Sequence, residues 1–309
     1  MTSRATRPKC SCMASPFIHL AQRAVISLDG PDTITMLERL VTHATTDWQV
    51  GATRYGALLT PQGKILSDYL AVRTETGVLL DTAAVYADDL AKRLKMFRLR
   101  SQVDIQRLDD TIIVASIQPA SDLAETLEGA DQVYLDHRYP GGRQRTLTSK
   151  ENWRALNGAP LEEDIVAIAA YHADRIAHGV PEQGLDFETA DVFPSDINMD
   201  ILGGVALNKG CFVGQEVVSR MHRRGKIRKR SLPIKLASSG EVEVGDALLA
   251  PAPIGEVTSI QDRQALARVR IDRWQKAESD QAQIAINETP VTITKPDWLV
   301  AELSAKKDS

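Results

Sequence analysis

The sequence is poor in cysteine and has no long hydrophobic run. Its three cysteines, Cys10, Cys12 and Cys211, are too few for a disulfide framework, so we expect a reducing compartment. No apolar run approaches the ~20 residues that a membrane-spanning helix needs, so we expect no membrane association. The net charge of −4 argues against a protein that coats nucleic acid generally.

Common catalytic motifs are also absent. There is no phosphate-binding glycine loop ending in Lys-Ser/Thr, no dinucleotide fingerprint, no His-Glu-x-x-His and no serine nucleophile elbow. The histidines are scattered, and no pair has metal-ligand spacing. Cys10 and Cys12 are not accompanied by a cluster of other ligands, so we do not expect a metal site there.

The most informative stretch is Lys-Gly-Cys-Phe-Val-Gly-Gln-Glu at residues 209–216. Apolar residues after it recur at helical spacing, which predicts a helix that begins at Gly214 or Gln215. Cys211 then lies just outside a helix N-terminus, where the helix dipole and the Lys209 cation favour a thiolate. The alternative is a small hydrophobic side chain packed in a turn.

This stretch resembles the signature of the YgfZ family, folate-binding proteins that support iron–sulfur cluster assembly. That family is related to the glycine-cleavage T-protein, a tetrahydrofolate-dependent aminomethyltransferase. The resemblance covers about residues 17–270 and is strongest at residues 207–216. It implies that Cys211 acts as a thiolate, either as a transient cluster ligand shared with an A-type iron–sulfur carrier protein or as a redox-sensitive group.

Asp68 interrupts an apolar pattern. Period-two alternation over residues 64–73 places it with Leu66, Leu70 and Val72 on one face of a strand. A buried carboxylate without a partner costs several kcal/mol, so Asp68 either contacts a polar group or lines a cavity. The alternatives are a strand-end position in water and an internal ion pair. The resemblance implies that Asp68 lies near the pterin ring of tetrahydrofolate.

Two carboxylates of the T-protein are replaced in this chain. Residues 63–68 are similar to the Gly-Gly-Ile-x-Asp-Asp run of that enzyme, but Ser67 stands in place of the first aspartate. Residues 175–179 are similar to its Arg-Leu-Glu-Ala-Gly block, with Ala177 in place of the glutamate. Loss of these carboxylates removes strong charge-assisted hydrogen bonds, so we expect no aminomethyl transfer.

Arginines supply the remaining candidate contacts. Arg138 and Arg143 lie in a stretch similar to the family's Asp/Glu-Pro-Arg and Gly-x-Arg, and would hold either an anionic ligand tail or a carboxylate on a neighbouring element. The basic run at residues 220–230 is a solvated helix end, a seat for the glutamyl tail of folate, or an RNA contact. We favour tail binding over RNA because no aromatic residue interleaves the run.

The order of strand-like and helical segments predicts an α+β fold with antiparallel sheets rather than a doubly wound sheet. The resemblance implies a T-protein-like body with helices around a central cavity. Short alternating strands after Ser231, punctuated by glycine and proline, predict a small C-terminal β-barrel. The predicted domains are a disordered head (1–16), a folate-binding body (17–230, divided near 105–150), the barrel (231–300) and a polar tail (301–309).

We therefore expect a tetrahydrofolate-binding protein that assists iron–sulfur cluster assembly or repair and, through it, tRNA-modifying and other [4Fe–4S] enzymes. The alternatives are a folate-dependent aminomethyl or one-carbon transferase and a tRNA-binding accessory protein. The expected location is the cytoplasm, or the mitochondrial matrix if the chain is eukaryotic. The predicted site comprises Cys211 as the thiolate and transient metal ligand, and Asp68, Arg138, Arg175, Lys209, Gly210, Gln215, Arg220 and Arg223 as folate contacts.

Overall fold

Two antiparallel sheets and a closed barrel organise the chain. A computed structural model describes residues 17–119, 132–157, 165–223, 227–238 and 242–305. The predicted head (1–16), a predicted helix at 121–127, the first residues of a helix predicted from 161, and the last residues of the predicted tail lie outside the described residues.

The elements in chain order are β1 (Phe17–His19), β2 (Arg23–Asp29), α1 (Thr33–Leu40), β3 (Thr53–Leu59), β4 (Ile65–Arg73), β5 (Gly77–Ala83), α2 (Ala84–Arg98), β6 (Asp104–Leu108), β7 (Thr111–Pro119), β8 (Gln132–Asp136), β9 (Arg143–Ser149), α3 (Lys150–Asn157), α4 (Ile165–Ala177), a 3₁₀ turn (Pro194–Ile197), α5 (Gln215–Arg223), β10 (Lys229–Leu236), β11 (Ala247–Ala250), β12 (Ala252–Gln261), β13 (Gln264–Arg270), α6 (Ile271–Ser279), β14 (Ala285–Ile286), β15 (Thr289–Ile293) and α7 (Asp297–Ala305).

The first sheet has the order β3-β4-β5-β2-β6 and is antiparallel throughout. Its outer face is covered by α1 and α2, because Leu37 of α1 and Leu90 and Leu94 of α2 are fully buried against strand residues such as Ile26 and Tyr69. Burial of such side chains contributes about 2 kcal/mol each. The other face of this sheet points into the body.

The second sheet has the order β1-β7-β9-β8 and packs on that inner face. Its own outer face is covered by α3, where Trp153 is buried against Ile112 and Val114. The N-terminal strand β1 belongs to this second sheet, and the chain returns to it between β6 and β7, at the start of the interval predicted to divide the body. The antiparallel α+β body predicted from the sequence is confirmed.

The sheet face predicted for one side chain of β4 is wrong. Asp68, Leu70 and Val72 lie on the inner face as expected, but Leu66 packs with the outer cluster. A β-bulge causes the change, since Leu58 pairs with Ser67 whereas Leu59 pairs with Ile65, which leaves Leu66 as the extra residue. A bulge shifts the alternation by one residue, and the period-two pattern does not encode it.

The C-terminal part is a closed barrel of strand order β10-β13-β12-β11-β14-β15. The predicted barrel is thus confirmed, but three local predictions are wrong. Ile271, predicted in a strand, begins α6, and Val242 and Val244 lie outside any strand. The predicted tail is helical up to Ala305, because α7 buries Leu299 against the barrel core.

Arg230 joins the barrel to the body. Its guanidinium is 1% exposed and donates to both carboxylate oxygens of Asp200, at 2.6 and 3.1 Å, to Glu302 Oε2 of α7 at 2.8 Å and to the Ser195 carbonyl at 3.1 Å. Arg230 therefore does not belong to the solvated part of the basic run predicted at residues 220–230. This single buried cation joins β10 to the segment of Ser195 and Asp200 and to α7.

We expect Arg230→Met to lower the free energy of unfolding by about 3 kcal/mol, because it leaves the Asp200 and Glu302 carboxylates without their shared cation. The matched control is Arg228→Met, since Arg228 is exposed two residues earlier, and it should change stability by about 0.5 kcal/mol or less. Guanidinium unfolding followed by tryptophan fluorescence measures both. Equal effects of the two substitutions would contradict the assigned role of Arg230.

Candidate functional site

The loop at residues 207–214, which we call the signature loop, packs on the hairpin turn between β3 and β4. Gly214 has a φ of +81°, and a Cβ atom there would lie 2.6 Å from the Thr60 carbonyl oxygen and 3.0 Å from Gly63 Cα. No side chain fits this approach, so glycine is required. Phe212 and Val218 on either side of Gly214 are buried in the body core. The loop is therefore anchored at its C-terminal end.

Cys211 is exposed at the start of this anchored segment. The alternative of a small hydrophobic side chain packed in a turn is thus wrong. A Cβ atom added to the neighbouring Gly210 would meet no heavy atom within 4 Å, so the space beside the thiol is open. The helix predicted after the loop is confirmed, because α5 begins at Gln215. An accessible thiol on a fixed loop can reach an external electrophile or metal ion.

Lys209 does not act as a free cation beside the thiol. Its ammonium donates to the Val41 carbonyl at 2.9 Å and the His43 carbonyl at 2.7 Å, and lies 3.5 Å from Glu38 Oε2. The Lys209 side chain is only 3% exposed, and this burial lowers its pKa. The ammonium therefore ties the signature loop to the C-terminal end of α1, a role that local sequence did not predict.

His43, whose carbonyl accepts a hydrogen bond from Lys209, has a buried side chain. Its ring is buried against Trp48 and Tyr69, and its Nε2 atom has no hydrogen-bond partner among the described residues. Burial lowers the pKa of His43 to about 4. The ring is therefore neutral at pH 7, and its protonation would place a charge in an apolar site next to the Lys209 cation.

The exposed face of α5 borders an open groove of about 580 Å³ next to the signature loop. Gln215 closes the loop, since its Nε2 atom donates to the Lys209 carbonyl at 3.3 Å. Arg220 is exposed and pairs with Glu216, and Arg223 is exposed with only a long contact to a backbone carbonyl. These arginines are available to an anionic ligand, whereas residues 224–226 of the predicted basic run lie outside the described residues.

A cluster of buried charges occupies the middle of the body, where the sequence predicted a central cavity. Its centre is Asp81 of β5, which is 0% exposed. Asp81 accepts hydrogen bonds from Arg23 Nε at 2.6 Å, Arg145 Nη1 at 2.8 Å and the Tyr134 hydroxyl at 2.8 Å. These partners come from both sheets. The cluster therefore links the sheets through charge-assisted hydrogen bonds.

Asp68 borders this cluster and keeps one unpaired oxygen. Its Oδ2 atom accepts from the Tyr55 hydroxyl at 3.0 Å, while Oδ1 has no partner among the described residues. Burial raises the pKa of Asp68, although Arg23 and Arg138 act in the opposite direction. The predicted strand-end position in water is wrong, since the residue is 2% exposed.

Glu182 provides a second unpaired oxygen. Its Oε1 atom accepts from the Tyr171 hydroxyl, and Oε2 has no partner among the described residues. Burial alone raises its pKa, but Arg175 and Arg23 outweigh burial and lower the pKa of Glu182 to about 2. The cluster thus holds an ionised carboxylate with spare acceptor capacity.

The predicted ligand arginines are paired with carboxylates of this chain. Arg138 donates from Nε and Nη2 to the two oxygens of Asp136, at 2.9 and 2.8 Å. Arg143 makes the same bidentate contact with Asp174 of α4, at 3.0 Å each. Of the two interpretations left open by the sequence, the structure shows the carboxylate partner.

Arg175 connects the body to the barrel. It donates to Asp186 Oδ2 at 2.6 Å and to Ser259 Oγ of β12 at 2.7 Å, and Asp186 also accepts from Thr258 of that strand at 2.7 Å. Arg175 is 2% exposed. Its side chain is therefore committed to the interface between the body and the barrel.

The hydrogen-bonding groups of the buried charge cluster match those of a pterin ring, but the unpaired oxygens are not accessible to a ring from outside. The unpaired oxygens of Asp68 and Glu182 would accept hydrogen bonds from ring and amino N–H groups. Each of these oxygens, however, has less than 1 Å² of accessible surface. Entry of a ring would therefore require the surrounding side chains to move apart.

Four members of the cluster were missed by sequence reasoning, and one carried a usable signal. Asp81 interrupts the apolar strand Gly77–Ala83, the same signal that identified Asp68. Arg23 lies at the start of a strand and Arg145 in a strand of mixed composition, where an arginine is ordinary. Glu182 lies in an irregular segment after α4. Their proximity depends on long-range packing.

The described residues contain no group of three or more His, Cys, Asp or Glu side chains that would hold a metal ion. Cys211 therefore supplies at most one ligand from this part of the chain. None of the helices in the described segments is long and apolar enough to cross a bilayer.

The buried His43 predicts an acid-sensitive step in stability. Its folded-state pKa of about 4 lies below the ordinary value of 6.5, so the unfolded chain binds more protons between these pH values. Stability is therefore complete above pH 6.5 and falls by about 3 kcal/mol as the pH decreases to 4. Denaturant unfolding at several pH values should show this loss in the native chain and a smaller one in His43→Leu. An equal loss in both would contradict the assignment.

Comparison with known families follows the division into body and barrel. Residues 18–138 match the GCVT N-terminal domain, and residues 228–301 match the CAF17 C-terminal β-barrel domain. The glycine cleavage system aminomethyltransferase T from Bartonella henselae has a similar structure, with a TM-score of 0.68 over 90% of this chain and 84% of that chain. Its sequence is 16% identical, so this likeness shows the fold, and the predicted T-protein-like architecture is confirmed.

Several proteins of similar sequence share a name. The mitochondrial iron–sulfur cluster assembly factor IBA57 homolog of Coccidioides immitis is 31% identical over 242 residues, covering 71% of this chain and 56% of the relative. The homolog of Chaetomium globosum is 30% identical over 265 residues, covering 76% and 60%. This chain spans somewhat more than half the length of these relatives. The chain therefore matches a GCVT N-terminal domain and a CAF17 C-terminal β-barrel domain, and its sequence is similar to those of these IBA57 homologs.

Proposed function

We propose that this protein takes part in iron–sulfur cluster assembly, with Cys211 as the residue that contacts the cluster. The observation that carries the proposal is the exposed thiol on a loop anchored by Gly214 and Lys209. The names of the relatives at about 30% identity support the same role. The resemblance of residues 209–216 to the YgfZ signature supports a function of the YgfZ type.

The coordination chemistry calls for a partner protein. A [4Fe–4S] cluster is held by four protein ligands, usually cysteine thiolates. The described residues offer Cys211 without a group of side chains that would hold a metal ion, and in this proposal the other ligands come from another molecule. An A-type iron–sulfur carrier meets this requirement. In this proposal Cys211 is a transient ligand during transfer of the cluster, and the beneficiaries are [4Fe–4S] enzymes that include tRNA-modifying ones.

Tetrahydrofolate binding is a second part of the proposal. Its support is the matched GCVT N-terminal domain and the unpaired oxygens of Asp68 and Glu182 in the body. The exposed Arg220 and Arg223 would contact the glutamyl carboxylates, since both are accessible. Arg138 and Arg175 would contribute only by positioning the buried charge cluster of the body, because their guanidiniums are already paired with carboxylates.

Two other functions rank lower. Aminomethyl transfer of the T-protein type lacks support at Ser67 and Ala177, where the compared motifs of that enzyme carry carboxylates. Direct tRNA binding would use Arg220, Arg223 and their neighbours, and it predicts affinity that falls steeply with salt. For location, the mitochondrial names of the relatives favour the matrix over the cytoplasm.

We expect Cys211→Ser to abolish cluster transfer while leaving the fold and folate binding unchanged, because the thiol is exposed. The assay follows the visible absorption of an apo [4Fe–4S] enzyme during reconstitution with a loaded A-type carrier. Ser219→Ala on α5 is the matched control and should retain full transfer. Normal transfer by Cys211→Ser would rule out the ligand role.

For folate, we expect Asp68→Asn to weaken binding of tetrahydrofolate by about ten-fold or more, because an amide is a weaker acceptor than a carboxylate. Asp89→Asn on the exposed face of α2 should leave the affinity unchanged. Titration calorimetry measures both. If the native chain binds no tetrahydrofolate, the folate proposal fails while the role of Cys211 stands.

A further inference from the structure

A second groove lies between α1 and the C-terminal end of α2. Its volume is about 730 Å³, and it is lined by residues along α1 from its N-cap Asp32 to Leu40, by the last turn of α2 and by the segment that follows α2. Phe97, Leu99 and Arg100 line one side, and Arg39 and Leu40 line the other. Neither the signature loop nor the buried charge cluster contributes to this groove. The proposed role in cluster assembly does not use it.

Large apolar side chains are exposed at this groove. Leu99 is 85% exposed and Phe97 is 40% exposed, and both line the groove. Single exposed apolar residues are ordinary, but two that line one groove offer apolar surface that a partner can cover.

The backbone at Leu99 is also strained. Leu99 has a φ of +50° and a ψ of −110°, a conformation that a branched side chain rarely adopts. Such conformations cost about 1–3 kcal/mol and persist mainly where a function uses them. Here the strain directs an apolar side chain outward instead of into the core.

Cations outnumber acids in the lining of this groove. Exposed Arg39 and Arg100 form no ion pair with the residues that the structure describes, and Arg98 donates only to the Val103 carbonyl. The acid in the lining is Asp32, which accepts from the Gln102 amide at 2.7 Å. The groove therefore presents unpaired cations around an apolar centre.

Three kinds of anionic occupant fit this charge, and shape separates them. A bilayer surface is flat and does not fill a concave groove. A nucleic acid strand would need stacking platforms, and Phe97 is the aromatic side chain in the lining. A protein segment with acidic residues around one aliphatic or aromatic side chain matches both the concavity and the charge.

We propose that this groove binds an acidic segment of a partner protein, which inserts one apolar side chain against Leu99 and Phe97. The groove shares α1 with the signature loop. Arg39 and Leu40 line the groove, while the neighbouring Glu38 and Val41 contact the Lys209 ammonium. One partner can therefore contact the groove and approach the Cys211 side of α1. Binding at the groove does not depend on the chemistry of Cys211.

The test uses the full chain and an array of short acidic peptides, each with one central Leu, Ile, Phe or Met, beside copies with serine at that position. We expect binding of the apolar versions, weakened by added salt. Leu99→Asn should reduce binding by about ten-fold or more through lost apolar contact. The thermal stability of this variant is measured in parallel, so that a loss of folding is distinguished from a loss of apolar contact.

Charge reversal provides the second arm. Arg39→Glu combined with Arg100→Glu should reduce peptide binding by about ten-fold or more. Lys276→Glu on the exposed face of α6 is the matched control and should have no effect. Cysteine-dependent cluster transfer is measured in parallel, so that failure here is distinguishable from failure of the Cys211 proposal.

Three outcomes would overturn the proposal. The first is the absence of peptide binding by the native chain, and the second is binding that is equal in the groove variants. The third is a preference for phosphatidylserine vesicles or tRNA that the same variants abolish, which would assign the groove to a lipid or nucleic acid surface.

Discussion

The charge of Asp81 has to be balanced inside the protein, and the body is built around this constraint. The carboxylate is in the middle of a sheet with no access to water, where an unpaired charge would cost several kcal/mol. Arg23 from the adjacent strand and Arg145 from the other sheet balance it. Because hydrogen bonds of this kind depend on direction, they hold the two sheets in one relative position. Hydrophobic burial alone would permit several positions.

Paired charges also connect the body to the barrel. Arg175 and Asp186 hold two adjacent residues of β12, and Arg230 holds Asp200 together with Glu302 of the last helix. Buried ion pairs contribute modest net stability, since desolvation offsets most of the attraction. Their main effect is to fix the orientation of the barrel relative to the body. These contacts include Asp200, which lies in the segment that leads to α5.

The signature loop is fixed from two directions. Gly214 rests on the hairpin turn between β3 and β4, and the Lys209 ammonium holds the carbonyls at the end of α1. Between these anchors the chain leaves Gly210 and Cys211 open to solvent. A thiol presented in this way has a defined position and no neighbouring cysteine among the described residues. These properties agree with the proposed role, in which Cys211 completes a metal site on another molecule.

Local pattern in the sequence was sufficient for the strands, most helices, the barrel and the loop before α5, because periodicity and glycine placement act over a few neighbouring residues. Alternation also identified Asp68 as an acid on an apolar strand face, but it left open whether that residue is buried or reaches water at a strand end. Only the tertiary structure decided that Leu66 occupies a bulge, that Ile271 begins a helix, that Lys209 points to α1, and that Arg138, Arg143, Arg175 and Arg230 are paired internally. Most of these outcomes depend on partners far away in the chain, such as the Val41 carbonyl, which is 168 positions from Lys209. A charged side chain does not carry the identity of a distant partner in its local sequence, and folding selects that partner through packing.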